Sequence, residues 1–508
     1  MIAGSRRSWW NAALIAGLLL APPRALGEEP HADEEGATHA GHEQHGKKDG
    51  HHSSALSDEY IPLQLEGFPE RPRYLLELGN PYLGTGRIKP GIHLPTGAVW
   101  QPSLILFGTL RTALQSFDAD GTRFTELASR LDLFANLQLS GTERLVVGFR
   151  TFDQEGRFTS YILEPDPGDP AFRAAFGDDG DRFREELNAE IQSLYFEGDF
   201  GEIFPKLDAD DFGRSDVGFS IGRQPLLFQD GILIQDSIDG IGLTRNTLLP
   251  QGTSNFRATL FVGTNEVHRA NVEDRDAEMF ALLTSTDVRR STVDADLVYV
   301  RGGETTGDLV AGGVSFVQRI GTRNTTFRLL GSHAVDQETA QAPDGALFFG
   351  ELSWTPHYTD DLIYFTGFVA VDEFSSAARG PASGGPLGRA GINFAAVGLG
   401  SYGAPLSSRA RDVAGGAFGY QRFYGPAKRR QLLAEVGLRV GTADDVSDSV
   451  AATVRYQMAV GRRLVLVWDG FAARRQGDLV LVPGQSPALQ RAPDVDLYGG
   501  RFELVVKF

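Results

Sequence analysis

Six histidines near the N-terminus form a dense set of side chains that can bind metal. They lie among Glu, Asp, Gly and Ala, and residues 28–54 contain almost nothing apolar. Neutral imidazoles are good ligands for Zn(II), Cu(II) and Ni(II), so this composition predicts weak capture of a divalent metal. A solvated tether with incidental affinity for metal explains it equally well. The six are His31, His39, His42, His45, His51 and His52.

Charged side chains also recur between residue 101 and the C-terminus, within segments that alternate apolar and polar residues. In a strand, successive side chains point to opposite faces, so the charges would share one face. Such charges are costly in hydrocarbon and cost little around a water-filled lumen. For each of them, pairing across the lumen without any selecting role is the alternative. The candidate pore-lining residues are Arg111, Arg144, Arg150, Arg223, Glu197, Asp199, Asp294, Asp296, Glu435, Arg439 and Arg455.

No catalytic motif accompanies these charges. The sequence has no Gly-x-Ser-x-Gly, no phosphate-binding glycine loop and no His-Glu-x-x-His. It has no cysteine, which excludes a disulfide framework, a thiolate metal site and a cysteine nucleophile. Its formal net charge of −18 argues against a nucleic-acid partner. We therefore predict that the protein is not an enzyme and has no cofactor, apart from a divalent metal that the N-terminal histidines would bind weakly.

Alternation with a period of two residues indicates the elements that position the charges. In residues 131–139, leucine and alanine alternate with Asp132, Asn136 and Gln138, and the pattern resumes after a turn at residues 140–143. Similar segments continue to the C-terminus, and we count about eighteen of them. An all-β chain of this kind, from residue 101 to residue 508, suits a transmembrane antiparallel up-and-down β-barrel.

Loop lengths distinguish such a barrel from a water-soluble sandwich, since long and short connections alternate in a barrel of this class. Long predicted connections lie at residues 153–186, 372–413 and 473–495. Tight ones lie at residues 140–143, 287–291, 320–324 and 461–462. Residues 201–215 are an exception, because a short turn is expected there. Residues 372–413, rich in Gly, Ala, Ser and Pro, are expected to fold inward as a constriction.

The last eleven residues predict the closing strand of the barrel. About ten residues cross a membrane as a tilted strand, and an ordinary amphipathic edge strand is the alternative. One face, with its terminal aromatic residue, is typical of the assembly signal that the barrel-assembly machinery recognises. That face carries Tyr498, Phe502, Leu504, Val506 and Phe508.

The N-terminal region divides into three predicted segments. Residues 1–27 are typical of a secretory signal peptide, with Arg6 and Arg7 before an apolar stretch and a small-x-small cleavage site. Residues 28–55 form the disordered histidine-rich tether, and residues 56–100 an extended periplasmic segment. Together these features predict the outer membrane of a Gram-negative bacterium, with lipids and lipopolysaccharide around the barrel.

Two short motifs carry a family resemblance. The hairpin LFANLQLSGTER at residues 133–144 and the stretch IGRQPLLFQDG at residues 221–231, followed by DGI at residues 239–241, resemble the alginate export family of outer-membrane porins. The resemblance implies an eighteen-stranded channel with an arginine-bearing lumen and loops that gate it. The alginate exporters pass an anionic polysaccharide.

These features predict a channel through which hydrophilic solutes diffuse, including anionic solutes such as sugar acids or polysaccharide. Arg111, Arg144, Arg150 and Arg223 are the candidate contacts for anionic groups. The alternative is a barrel that serves as a scaffold or sleeve. It would hold a periplasmic metal-handling or electron-transfer partner that the histidine-rich tether recruits.

Overall fold

The computed structural model describes residues 74–79, 90–119, 121–176, 181–208, 216–303, 305–477, 479–481, 489–491 and 494–508. The predicted signal peptide, the tether with its six histidines and most of the segment 56–100 lie outside the described residues. Those assignments stay predictions.

Eighteen antiparallel strands form one closed sheet, which confirms the predicted fold. Each strand pairs with the next along the chain, so the topology is up-and-down. The strands are β1 (Ser103–Ala119), β2 (Thr122–Gln138), β3 (Arg144–Arg150), β4 (Ile191–Asp199), β5 (Val217–Phe228), β6 (Ile234–Leu248), β7 (Ser254–Thr264), β8 (Glu278–Val288), β9 (Ser291–Arg301), β10 (Leu309–Ile320), β11 (Arg323–Ala334), β12 (Gly345–Trp354), β13 (Leu362–Phe374), β14 (Ala410–Tyr424), β15 (Arg430–Gly441), β16 (Ser449–Val460), β17 (Leu464–Arg475) and β18 (Val495–Lys507).

The barrel closes where β18 pairs with β1, as predicted. The register runs from Gly499 opposite Phe117 to Lys507 opposite Thr109. Beyond Lys507, the amide of Phe508 donates to the carbonyl of Gly108 over 3.1 Å, and the amide of Gly108 donates back over 2.8 Å. Closure pairs the strand edges, which is the condition for a sheet to stand in hydrocarbon.

The two faces of the wall differ as the alternation predicts. Arg501 and Glu503 are buried on the inner face of β18, whereas Tyr498 and Phe502 are exposed on its outer face. Large exposed apolar side chains continue around the outside of the barrel. They include Leu114, Leu194, Ile221, Leu243, Leu260, Leu282, Leu297, Leu329, Phe348, Phe365, Phe418, Val436, Val454 and Trp468.

Long and short connections alternate between the two ends of the barrel. Tight turns join β2 to β3, β8 to β9, β10 to β11 and β16 to β17. Residues 151–190, 265–277, 375–409 and 476–494 form longer connections at the opposite end. The short strands in these connections are Asp153–Gln154, Arg157–Glu164, Phe183–Arg184, Val267–Arg269, Val272–Asp274, Ala378–Arg379, Leu479–Leu481 and Leu489–Arg491. Two of these connections also contain a short helix, the α-helix Pro170–Phe176 and the 3-10 helix Pro386–Ala390. A further 3-10 helix, Gln229–Gly231, lies at the same end, in the short connection between β5 and β6.

The long connection between β4 and β5 has local structure of its own. It begins with the α-helix Phe200–Ile203 and the 3-10 helix Pro205–Asp208. Lys206 Nζ donates to the carbonyl of Pro95 over 3.0 Å, beside the hairpin formed by Ile92–His93 and Val99–Trp100. A tight turn was expected from the alternation, but these residues pack against chain that precedes the barrel. The remaining short element at this end is the 3-10 helix Pro426–Lys428.

Part of the predicted extended segment joins the sheet. Residues Leu76–Gly79 pair with β1, with Leu76 opposite Leu106 and Gly79 opposite Ser103. Those β1 residues lie beyond the last partner of β18, so this strand continues the line of the closing strand. Among the described residues, no helix is long and apolar enough to span a bilayer.

Deleting Phe508 tests the importance of the closing strand. The deletion removes two backbone hydrogen bonds, which are worth about 1 kcal/mol each, so stability should fall by about 2 kcal/mol. The folded, heat-modifiable form on a gel should become scarcer, while each assembled barrel keeps its conductance. Lys507→Gln is the control, because this side chain is exposed. A normal folded yield without Phe508 would contradict the prediction.

Candidate solute pathway in the barrel lumen

Residues 375–409, called the inserted segment below, cross the interior of the barrel. The carbonyl of Gly398 accepts from Arg111 on β1 and Arg130 on β2, over 3.5 and 3.0 Å. Elsewhere in the segment, Ala378–Arg379 pair with the start of β6, and Arg389 lies 3.4 Å from Glu351 on β12. A segment that contacts β1, β2, β6 and β12, which lie on different sides of the barrel, crosses the lumen. The expectation that it folds inward is therefore confirmed.

Apolar packing holds the inserted segment against one side of the wall. Leu387, Phe394 and Leu406 are buried, and the ring of Phe394 meets that of Phe368 on β13 edge to face, with centroids 5.4 Å apart. The inner face of β8 to β12 also carries many buried apolar side chains beside charged ones such as Asp296 and Arg328, and the sequence-based prediction did not include these apolar residues. Its buried side chains include Met279, Leu283, Val298, Leu309, Leu330, Leu347 and Phe349.

Glu435 on β15 anchors the middle of the segment. Its carboxylate accepts from the amides of Ile392 and Asn393, over 3.0 and 2.8 Å, and from the Asn393 side chain over 2.8 Å. The Tyr364 hydroxyl also donates to it. Glu435 is only 2% exposed, so these donors replace the water that a carboxylate otherwise needs.

Arg379 anchors the start of the segment without a carboxylate. Its guanidinium donates to the carbonyls of Gly384 and Gly385, over 2.6 and 2.7 Å, and to that of Gly231. Burial lowers the pKa of Arg379 to about 10. Gly231 belongs to the tip between β5 and β6, so Arg379 joins that tip to the inserted segment.

The tip at residues 229–233 is a second element that packs inward. Gln229 Nε2 donates to Asp296 on β9 over 2.8 Å, and Asp230 pairs with Arg328 on β11. Arg328 also pairs with Glu351 over 2.5 Å. The tip covers the inner face of β9 and β11, which places Asp296 beneath it.

Alternating arginines and carboxylates cross the closing seam on the inner wall. Asp469 on β17 pairs with Arg455 on β16 over 3.2 Å and with Arg501 on β18 over 2.6 Å. Glu503 on β18 lies 3.0 Å from Arg501 and 2.5 Å from Arg111 on β1. We call this series the seam ladder.

Three further ion pairs extend the seam ladder onto the next strands. Asp132 on β2 pairs with Arg130 and with Arg150 on β3, over 2.9 and 3.0 Å. Arg150 also lies 3.2 Å from Asp153, which is buried in the loop after β3. The carbonyl of Gly398 accepts from both Arg111 and Arg130 and so joins these pairs to the seam ladder. The predicted residues Arg111, Arg150 and Arg455 therefore belong to one hydrogen-bonded network.

A cavity of about 300 Å³ separates the inserted segment from the wall. Arg130, Arg150 and Arg223 line its wall side, and residues 380–383 of the inserted segment line the other. The Arg223 guanidinium pairs with Asp239 over 2.8 Å. We call this space the wall cavity. It lies on the charged side of the lumen, away from the apolar packing of β8 to β12.

A histidine closes one corner of the wall cavity. His268, in the hairpin after β7, contacts Asp236 on β6 through Nδ1 at 2.9 Å, and its amide donates to the same carboxylate over 2.8 Å. Burial lowers the pKa of His268, but the hydrogen bond and charge of Asp236 raise it more, so the net pKa lies above its ordinary value. The hairpin is thereby tied to the wall.

The other predicted pore-lining residues have local partners. Arg144 pairs with Glu197 across β3 and β4 over 2.5 Å. Asp199 caps the helix Phe200–Ile203, accepting from the amide of Gly201. Asp294 accepts from Ser315 over 3.0 Å, and Arg439 donates to the carbonyl of Ser447 over 3.4 Å. These contacts do not join them to the wall cavity.

Several residues of the site were missing from the sequence-based set. Arg130, Asp469 and Arg328 sit at polar positions of alternating strands, so the same signal could have found them. Arg379, Asn393 and His268 lie in connections without periodicity. No pattern of residue types marks their partners.

Several solved structures align with most of this chain. The BenF-like porin of Pseudomonas fluorescens Pf-5 aligns over 80% of this chain and 98% of its own, with a TM-score of 0.51 and 10% identity. The fold is that of a porin. OccK9 (OpdG) of Pseudomonas aeruginosa aligns over 80% and 98%, with a TM-score of 0.49 and 13% identity. Wzi of Escherichia coli aligns over 79% and 84%, with a TM-score of 0.45 and 9% identity.

No protein-family model and no curated protein sequence matches the chain. The alginate export family is therefore not shown, and the resemblance to it stays a prediction. At 10% identity, the likeness to the BenF-like porin establishes the fold alone.

Replacing Glu435 with alanine should release the middle of the inserted segment. The change leaves buried donors without an acceptor, at about 1–3 kcal/mol for each. Trypsin should then cleave after Arg389 faster than in the unmodified protein, as measured by mass spectrometry of the folded barrel. Glu278→Ala is the matched control, because Glu278 pairs with Arg301 at a half-exposed position. Equal cleavage of both variants would show that Glu435 does not anchor the segment.

Proposed function

We propose that this protein is an outer-membrane channel through which small hydrophilic solutes diffuse. The observation that carries the proposal is a closed eighteen-strand barrel with an apolar outer face and a charged cavity beside an inserted segment. In this proposal, the barrel sits among outer-membrane lipids and lipopolysaccharide, and the barrel-assembly machinery inserts it.

The outer face supports a membrane location. Its exposed leucines, valines and aromatic residues would be an aggregation liability in water, whereas hydrocarbon covers them favourably. The porin fold shared with the BenF-like porin agrees with such a location and with a channel role.

The apolar and the charged side of the lumen differ in how well they suit a polar solute, and this difference suggests the path that a solute takes. A buried apolar cluster, which includes side chains of the inserted segment and of β8 to β12, is an unfavourable environment for a polar solute. The wall cavity instead presents charged side chains on β2, β3 and β5. A hydrated solute should therefore pass along this side of the barrel.

The volume of the wall cavity and the ion pairs of its arginines indicate which solutes the channel could pass. A cavity of about 300 Å³ suits a small solute better than a polysaccharide. The anionic cargo predicted from the sequence, sugar acids among them, would need arginines with free donors. Arg111 pairs with Glu503, and Arg223 pairs with Asp239. The proposal is therefore a channel for small solutes, and alginate or another polysaccharide is not part of it.

Single cysteines can test the route, because the chain has no native cysteine. Ser383→Cys places a thiol in the wall cavity, and Leu297→Cys places one on the outer face. A thiol-reactive trimethylammonium reagent should reduce the single-channel conductance of the first variant, because the added group occupies the cavity. The second variant should keep its conductance. Planar-bilayer recordings before and after the reagent measure both.

Two outcomes would contradict the proposal. A purified, folded barrel that shows no discrete conductance is not a channel. A conducting barrel whose Ser383→Cys variant is insensitive to the reagent has its route elsewhere.

A further inference from the structure

The wall cavity contains more carboxylates than basic side chains. Three arginines line it, namely Arg130, Arg150 and Arg223. Five carboxylates line it, namely Asp153, Glu155, Glu190, Asp236 and Glu266. The charge of this narrow space is therefore opposite to the one that a conduit for anions requires.

Protein acceptors already engage the guanidinium of Arg223. It makes two hydrogen bonds to Asp239, over 2.8 and 3.0 Å, and lies 2.9 Å from Glu266. It also donates to the carbonyl of Ile191 over 3.0 Å. A solute anion would have to displace one of these partners.

Arg130 and Arg150 are engaged in a similar way. Both pair with Asp132, and Arg130 also donates to the carbonyl of Gly398. Arg150 pairs in addition with Asp153. Asp132 and Asp239 do not line the cavity themselves, but they pair with the arginines that do. They are therefore two carboxylates in addition to the five that line it.

Among the residues that the structure describes, Glu190 has no cationic partner of this kind. Its side chain accepts from Gln192 Nε2 over 3.1 Å. Within the described part of the chain, no ion pair includes Glu190 or Glu155. Burial and the charges of Asp153 and Glu266 raise the pKa of Glu190 in spite of Arg150 and Arg223. Among the charges that act on the Glu190 carboxylate, those of Asp153 and Glu266 outweigh those of Arg150 and Arg223.

The one histidine of the cavity does not reverse this balance. Nδ1 of His268 lies 2.9 Å from Asp236, so any positive charge on the ring is matched by that carboxylate. Glu266 and Glu190 also line the cavity, and Glu266 shares Arg223 with Asp239.

We infer that the wall cavity admits solutes bearing an ammonium or guanidinium group and favours them over anions. This inference rests on the proposed channel function. An ammonium group has three donors and no acceptor, which suits carboxylates such as Glu190 that lack a cation. Acidic side chains around a narrow passage favour cations in the same way.

The test compares two four-carbon solutes of opposite charge in liposomes that contain the folded, full-length protein. At neutral pH, 1,4-diaminobutane should enter faster than succinate, and the reversal potential in a KCl gradient should show preference for K⁺. Glu190→Gln should lower the rate of 1,4-diaminobutane entry roughly fivefold, the effect expected of losing one ammonium–carboxylate contact at about 4 Å in water, and should thereby lower the ratio of the two rates. Glu338→Gln is the control, because Glu338 is exposed in the connection after β11 and should leave the ratio unchanged.

The outcomes separate the two proposals. Conductance with a preference for succinate or Cl⁻, or equal effects of Glu190→Gln and Glu338→Gln, would overturn the inference and leave the channel function intact. Liposomes that stay closed to both solutes, with no conductance in bilayers, would overturn the channel function and the inference with it.

Discussion

Pairing between the first and last strands is the constraint on which the whole structure depends. An open sheet would leave backbone donors and acceptors of β1 and β18 unpaired, which hydrocarbon does not tolerate. The same closure brings Arg111 within 2.5 Å of Glu503, so charges from the two ends of the chain meet on the inner wall. Closure therefore creates the outer apolar surface and the inner charged one together.

The interior of the barrel has an apolar side and a charged side. On one side, Phe394 of the inserted segment packs against Phe368 on β13, within a buried apolar cluster that also includes side chains of β8 to β12. On the other side, the seam ladder keeps arginines and carboxylates paired. Such pairs add little net stability once desolvation is counted, but breaking one leaves a costly unpaired charge. The main effect of these ion pairs is to hold the side chains of the wall in place and to keep the donors of the arginines engaged.

Much of this architecture follows from local sequence. Alternation predicts the strands and the faces of residues such as Arg501 and Phe502, because a strand repeats every two residues. It does not reveal that Glu435 binds Asn393 or that Arg379 binds Gly231, since these contacts join residues far apart in the chain. Asp199 also shows the limit of the pattern. It continues the polar face of β4, yet it caps a helix at a position where a tight turn was expected.

We propose that the inserted segment narrows the lumen to a charged passage along one wall. Single-channel conductance of the intact protein, compared with a variant whose residues 381–407 are replaced by a short Gly-Ser linker, tests it most directly. We expect discrete openings in both and a several-fold larger conductance in the variant, because the cross-section of a water-filled passage limits its current. Equal conductance in the two folded barrels would contradict the claim.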